Sequence, residues 1–250
     1  MGDLVYETND GRIYNPFSTN SVGFEIRFAH NEKVFQIHQY RKHLASSVSP
    51  VFAIGYSLTG KYLGSDYEVH RIQAMFSKRW FLSILGVADL KINGGAVLGQ
   101  APYPLMFVHR ANQGIYYDEL GFNLMNYYEF VSQYYVQGIF DYNFNGFILN
   151  RIPLIGKLKL REVLSLRAVW GGISDENNPA NGNANLFKFP TKENGESMTY
   201  TLEKEPYVEG SIGIANIFSI LRIDFVKRFS YLDHPDVDDW GIFFSLKVKF

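Results

Sequence analysis

The chain has 250 residues, enough for one large domain, and its 24 Lys and Arg nearly balance its 25 Asp and Glu, leaving no electrostatic footprint for nucleic acid. It contains no cysteine, which excludes disulfide frameworks, Cys-ligated zinc, iron–sulfur clusters and thiol nucleophiles. Aromatic residues make up 16% of the chain and charged residues 20%, with a mean hydropathy of only -0.12, so apolar side chains are interspersed with polar ones.

No stretch of 18 apolar residues occurs, so no transmembrane helix is expected. The opening MGDLVYETND lacks the basic and apolar regions of a signal peptide, so an exported protein would be represented here by its mature form or a fragment. In chain order, residues 1–19 hold at most one weak strand. Period-two alternation, the mark of a strand with one apolar face, then recurs throughout. Over about 22–31, Phe24, Ile26 and Phe28 oppose Glu25 and Arg27. A second strand is expected over 33–43, and a third over 51–60, where Phe52, Ile54, Tyr56 and Leu58 alternate with small residues. Over 67–79, Ile72, Ala74 and Phe76 oppose Arg71, Gln73, Ser77 and Arg79. Trp80, Leu82, Ile84, Gly86, Ala88, Leu90 and Ile92 form the next apolar row, over 80–93.

The longest alternation runs over 127–144, from Tyr128 and Phe130 to Phe140, Tyr142 and Phe144, against Glu129, Gln133, Gln137 and Asp141. Such a strand is more than twice the ~5–6 residues typical of globular proteins. Leu164, Leu166, Ala168 and Trp170 then oppose Arg161, Ser165 and Arg167 over 158–172. Val208, Ile212 and Ile214 oppose Glu209 and Ser211 over 206–216; Ile223, Phe225 and Phe229 oppose Arg222, Asp224 and Arg228 over 219–231. The last strand, 239–250, carries Trp240, Ile242, Phe244, Leu246, Val248 and Phe250 on one face, and Asp239, Gly241, Ser245, Lys247 and Lys249 on the other.

These ten strands, without repeat or linker, predict a single domain over 1–250. Short turns are expected near Asn31–Lys33, Ser77–Trp80 and Asn216–Ser219, and long connections over 94–126 and 173–205. If the first strand starts on the periplasmic side, both long connections fall on the outer side. The fold expected is all-β, an antiparallel transmembrane β-barrel of about ten strands, complete or part of a larger ring. The 145–157 connection is longer than that pattern predicts and reads as a small plug, a foot on the membrane or a partner contact. A soluble sandwich or ligand-binding barrel is the alternative, with its apolar face turned inward.

The final strand looks like the C-terminal recognition strand of bacterial outer-membrane barrels, which the barrel-assembly machinery binds by strand pairing. The runs Phe122–Phe130, Phe144–Leu154, Trp170–Asp175, Tyr207–Ile217 and Tyr231–Pro235 resemble a family of Bacteroidota outer-membrane proteins. Members of that family typically carry a carboxypeptidase-regulatory-like domain ahead of a barrel of unknown function. That barrel is distantly similar to the bacterial surface antigen barrels that assemble or translocate proteins. The resemblance covers residues 95–250 well and the first 95 by pattern. It implies a Gram-negative outer-membrane location, with outer-membrane lipid, the assembly machinery and other envelope proteins as partners.

Candidate chemistry is sparse. The six histidines, His30, His38, His43, His70, His109 and His234, show no metal-ligand spacing, and no metal or other cofactor is expected. A hydrolase triad of Ser83, His70 and Asp89 is conceivable, but no Gly-x-Ser-x-Gly element accompanies it. The charges opposite the apolar rows say more. Arg71, Arg79, Arg161, Arg167, Arg222, Arg228, Lys247 and Lys249 are expected to share the lumen with Asp224, Glu129 and Asp141, and with Glu162 if the register shifts there, as an ion-paired filling. Arg151, Lys157, Lys159 and Arg161 read most simply as a solvated basic patch, with contact to anionic lipid head groups as the functional alternative. The function expected is a structural or translocation-related barrel without catalysis. A passive channel and a membrane-embedded hydrolase are the alternatives.

Overall fold

The alternating segments fold into a meander. The computed structural model describes residues 6–14, 17–32, 34–37, 40–43, 49–183, 186–192 and 194–246. Nine strands form one sheet in chain order: β1 (Ser21–Ala29), β2 (Val51–Thr59), β3 (Val69–Phe81), β4 (Val87–Leu98), β5 (Tyr134–Asn143), β6 (Arg161–Gly172), β7 (Tyr207–Ile217), β8 (Leu221–Arg228) and β9 (Trp240–Leu246). Each is antiparallel to the next. The fold is all-β, and among the described residues helix is confined to short 3-10 turns in the connections. Among the described residues no pairing of β1 with β9 closes the sheet into a ring.

Register carries the alternation of each strand across its neighbours. One row reads Phe28, Phe52, Phe76, Ile92, Gly138, Ala168 and Val208 from β1 to β7. Another reads Trp80, Ala88, Tyr142, Leu164, Ile212, Phe225 and Ile242 from β3 to β9. This apolar face is open: Phe28 is 63% exposed, Ile212 63% and Ile242 51%. Its tyrosine and tryptophan side chains lie towards the strand ends, Tyr56, Tyr134, Trp170 and Trp240 towards one and Trp80 and Tyr142 towards the other, whereas Phe24, Phe76, Phe140 and Phe225 lie in mid-strand. Its ionisable side chains also lie towards the strand ends, His70 and Lys227 at the first, Lys78 and Glu162 at the second.

The core lies on the opposite face. Phe122, Met125 and Phe130 pack with Val169 and Tyr207; Tyr117 and Leu124 pack with Val226 and Phe243; Phe107 and Ala101 pack with Val69 and Val97. Each cluster joins strand residues to residues of the 99–133 connection. That connection, 60–68, 173–206 and 229–239 all leave the sheet at one end, here the loop end. The other end, the turn end, carries the tight connections 82–86 and 218–220 together with 30–50 and 144–160.

Several expected boundaries move, each for a local reason. The strand expected over 33–43 is a separate hairpin, Val34–Ile37 against Tyr40–His43, because a segment without a continuous apolar row gains little from joining the sheet. The turn expected at Ser77–Trp80 falls at 82–86, since Trp80 stays on β3 opposite Ala88. Gly86 makes that turn: at φ +111 it tolerates a contact with the Asn143 carbonyl that a Cβ would fill. Most of residues 127–133 leave the strand expected over 127–144; Tyr128 takes a positive φ, Val131–Ser132 pair with Phe107–Val108, and Phe130 bridges Tyr200. Residues 1–19 supply a two-residue ladder, Tyr6–Glu7 against Ile13–Tyr14. Val248, Phe250, Lys247, Lys249 and His38 lie outside the described residues.

Candidate functional site

The charged residues opposite the apolar rows need partners once they leave water, and the 99–133 connection supplies them. It folds back over the sheet, packing on β3 and β4 through Ala101 and Phe107 and on β6 to β9 through Tyr117, Phe122, Leu124, Met125 and Phe130. At the centre, Arg167, Glu209 and Arg228 are direct cross-strand neighbours on β6, β7 and β8. All three are at least 98% buried. Glu209 accepts hydrogen bonds from the backbone N–H of Asn123 (2.7 Å) and Leu124 (3.0 Å) and from the Tyr207 hydroxyl (3.0 Å). Arg167 donates to the carbonyls of Asp118 and Gly121 and lies over the Tyr117 ring, 4.8 Å from its centroid. A carboxylate and a guanidinium on the sheet therefore clamp one tight bend of the connection from its N–H and C=O sides.

Arg228 anchors the far side of the same bend. It forms a bidentate pair with Glu129 at 2.6 and 3.1 Å and donates to the carbonyls of Leu124 and Tyr231. His234 Nδ1 lies 2.9 Å from the same carboxylate, with its ring stacked on Tyr200 at 3.9 Å. Burial opposes ionisation of Glu129, but the bonds from His234 and Arg228, the Arg228 charge and the Asn126 N–H outweigh it and hold its pKa below the usual carboxylate value.

Nearer the turn end, Arg222 grips Asp224 through two bonds of 2.6 and 2.7 Å and also lies over the Tyr117 ring, 4.6 Å from its centroid. Tyr117 closes this group by a 3.0 Å bond with Ser211. Gly213 lies directly beside Asp224, where a Cβ would strike the carboxylate. On the β1-side half, Arg79 pairs bidentately with Asp89 at 2.6 and 2.8 Å, and Arg71 donates to the Leu105 carbonyl (2.6 Å) while covering the Phe107 ring. Arg161 borders a cavity of about 170 Å3 at the turn end.

Seven of the expected lumen charges, Arg71, Arg79, Arg161, Arg167, Arg222, Asp224 and Arg228, thus share one face of the sheet. Asp141 joins them, accepting from Ser165 at 2.5 Å. Two companions differ. Glu129 sits on the folded-back connection, not on a strand. No register shift occurs at Glu162, so it falls on the apolar face, where it accepts from the N–H groups of Ile148 and Leu149. The imagined triad is dispersed: His70 lies at the loop end bonded to Tyr56, whereas Ser83 and Asp89 lie at the turn end. The Ser–His contact that does form is Ser132 with His109, at 2.9 Å. Ser132 is fully buried, burial pushes the His109 pKa down to about 4, and His109 borders a cavity of about 320 Å3 that Arg71, Phe107 and Tyr135 also line.

Sequence reasoning placed Glu209 on the polar face but did not single it out. Its signal was the position between Tyr207 and Ser211, and only the register sets it between two arginines. The C-terminal row is partly seen: Trp240, Ile242, Phe244 and Leu246 are exposed on the apolar face of β9. The backbone of Phe244 also bonds Ile115 and Tyr117, so the folded-back connection covers the free edge of β9 at that residue.

Residues 8–193 match the C-terminal domain of a family of unknown function, DUF5686. The chain belongs to that family. The DUF5686 match runs from the N-terminal ladder through β6 and ends within the 173–206 connection, so it takes in the whole 99–133 segment and the Arg167 side of its clamp. No curated protein matches the chain.

Proposed function

We propose that this DUF5686 chain forms part of the wall of an integral outer-membrane β-barrel in a Gram-negative envelope, a structural or translocation-related module without catalytic activity. The observation that carries the reading is the apolar face. Its exposed rows extend across all nine strands, far beyond the few hundred Å2 of contiguous apolar surface that soluble monomers expose. Tyrosines, tryptophans and charges are displaced towards the two borders of that face, as expected where a hydrocarbon slab meets two interfaces. The resemblance to Bacteroidota outer-membrane proteins agrees with this location, and lipid acyl chains are the natural cover for the face. A filled interior disfavours a wide passive channel, because the clamped connection occupies the polar side of the sheet. The test is purification: the protein is expected to require detergent or lipid to remain a β-rich monomer. A monodisperse monomer in plain buffer overturns the reading.

A further inference from the structure

The two lateral edges of the sheet are not alike. The edge of β9 is covered at Phe244, since Tyr117 donates to the Phe244 carbonyl and Phe244 donates to that of Ile115. Among the described residues nothing pairs with the outer edge of β1. The side chains of β1 are uncovered on both faces as well. Val22, Phe24, Ile26 and Phe28 are 62–65% exposed on the apolar face, and Glu25 and Arg27 are exposed on the other. The positions that share the face of Arg27 on β6 are covered: Val163, Ser165 and Val169 are each 6% exposed or less. A nine-residue strand with a bare edge and an apolar row is a template for strand addition, which proteins otherwise blunt by bulges, charges or a covering segment.

We infer that β1 is an internal strand of a larger wall, and that its free edge receives an antiparallel strand supplied by the same polypeptide ahead of β1. Strand direction selects this occupant. The chain reaches Ser21 at the loop end, where Tyr6 stacks on Phe187 and Thr8 bridges it. A strand that precedes this entry ends at the loop end, runs from the turn end, and is therefore antiparallel to β1. A second copy inserted in the same orientation and related by an axis along the membrane normal would set β1 parallel to β1, against the pattern of every other pair in the sheet. The choice between these two occupants rests on the membrane reading proposed above. The bare edge does not.

The test uses the full-length protein in its native membrane, with the photo-crosslinker p-benzoyl-phenylalanine in place of Ile26 and, separately, of Val22. The same crosslinker in place of Val136 is the control, expected to capture peptides of β4 and β6. Irradiation is expected to leave the Ile26 variant at the mass of one chain and to join it to a peptide preceding residue 6. Capture of a second copy, of another protein, of lipid alone or only of peptides within residues 6–246 overturns the inference, provided the control reports its neighbours. Val22 decides the matter if the Ile26 variant fails to accumulate. Fractionation of the same samples reads the membrane proposal separately. A soluble protein with the upstream crosslink keeps the strand and loses the membrane; a membrane protein without it does the reverse.

Discussion

His109 is held between Ser132 and the edge of Tyr135, 6% exposed, and burial moves its pKa from 6.5 to about 4. A group whose folded pKa lies below its unfolded one binds fewer protons when folded, so its contribution to stability falls as pH drops from 6.5 towards 4. The full difference is worth roughly 3 kcal/mol. Glu129 acts in a lower window. Its carboxyl is held below 4.5, so the stabilisation it gives is complete above that value and disappears only as pH falls through the folded pKa. Between pH 7 and 5 the histidine is therefore the group to watch. The denaturant midpoint of the native chain is expected to fall over that range, and that of His109→Asn, which keeps a polar partner for Ser132, to fall less. Parallel curves for the two proteins would mean that His109 binds protons alike in the folded and unfolded states.

The 99–133 connection behaves as a structural element although it has almost no regular secondary structure. Its apolar residues Phe122, Met125 and Phe130 enter the core, and the sheet satisfies its backbone through Arg167, Glu209 and Arg228. Substituting Glu209→Ala removes the acceptor of two buried N–H groups and leaves Arg167 and Arg228 facing each other across the vacated strand position. Breaking such buried charge arrangements costs about 3–5 kcal/mol. The variant is expected to unfold at lower denaturant and to be cut by trypsin after Arg110 faster than the native chain, with the N- and C-terminal fragments as the readout. Strand order, the two faces and the seven charges of the inner face were legible in the sequence, because a period of two assigns each side chain to a face by parity alone. The folded-back connection was not. Over 127–133 the alternation of Tyr128, Phe130 and Ser132 is that of a strand, yet Phe130 is buried because it packs on Tyr207 and Tyr231, and Glu129 because Arg228 calls for a carboxylate. Both are tertiary demands made by residues about 80 to 100 positions away. The same holds for Glu209, whose importance comes from the register of β6, β7 and β8.

Taken together, the nine strands give the protein two ends of different character, and a membrane crossing would put them in different compartments. The tight connections 82–86 and 218–220 share the turn end with the C-terminal end of β9, and outer-membrane barrels keep their short turns on the periplasmic side. The loop end, with the Asn-rich 3-10 turn at Pro179–Asn181, would then face the exterior. Absence of cysteine makes the protein well suited to testing this with single thiols. Asn181 is exposed at the loop end, and Ile84 is 73% exposed at the turn end. On intact cells a membrane-impermeant maleimide is expected to label Asn181→Cys and to spare Ile84→Cys; breaking the outer membrane should make the second react as well. Neither site contributes to the clamp or the core clusters, so both variants should fold. Labelling of Ile84→Cys alone would reverse the orientation while keeping the crossing. Equal labelling of both sites on intact cells would show that the two ends share a compartment, and the sheet would then have to be read as lying on one side of the membrane.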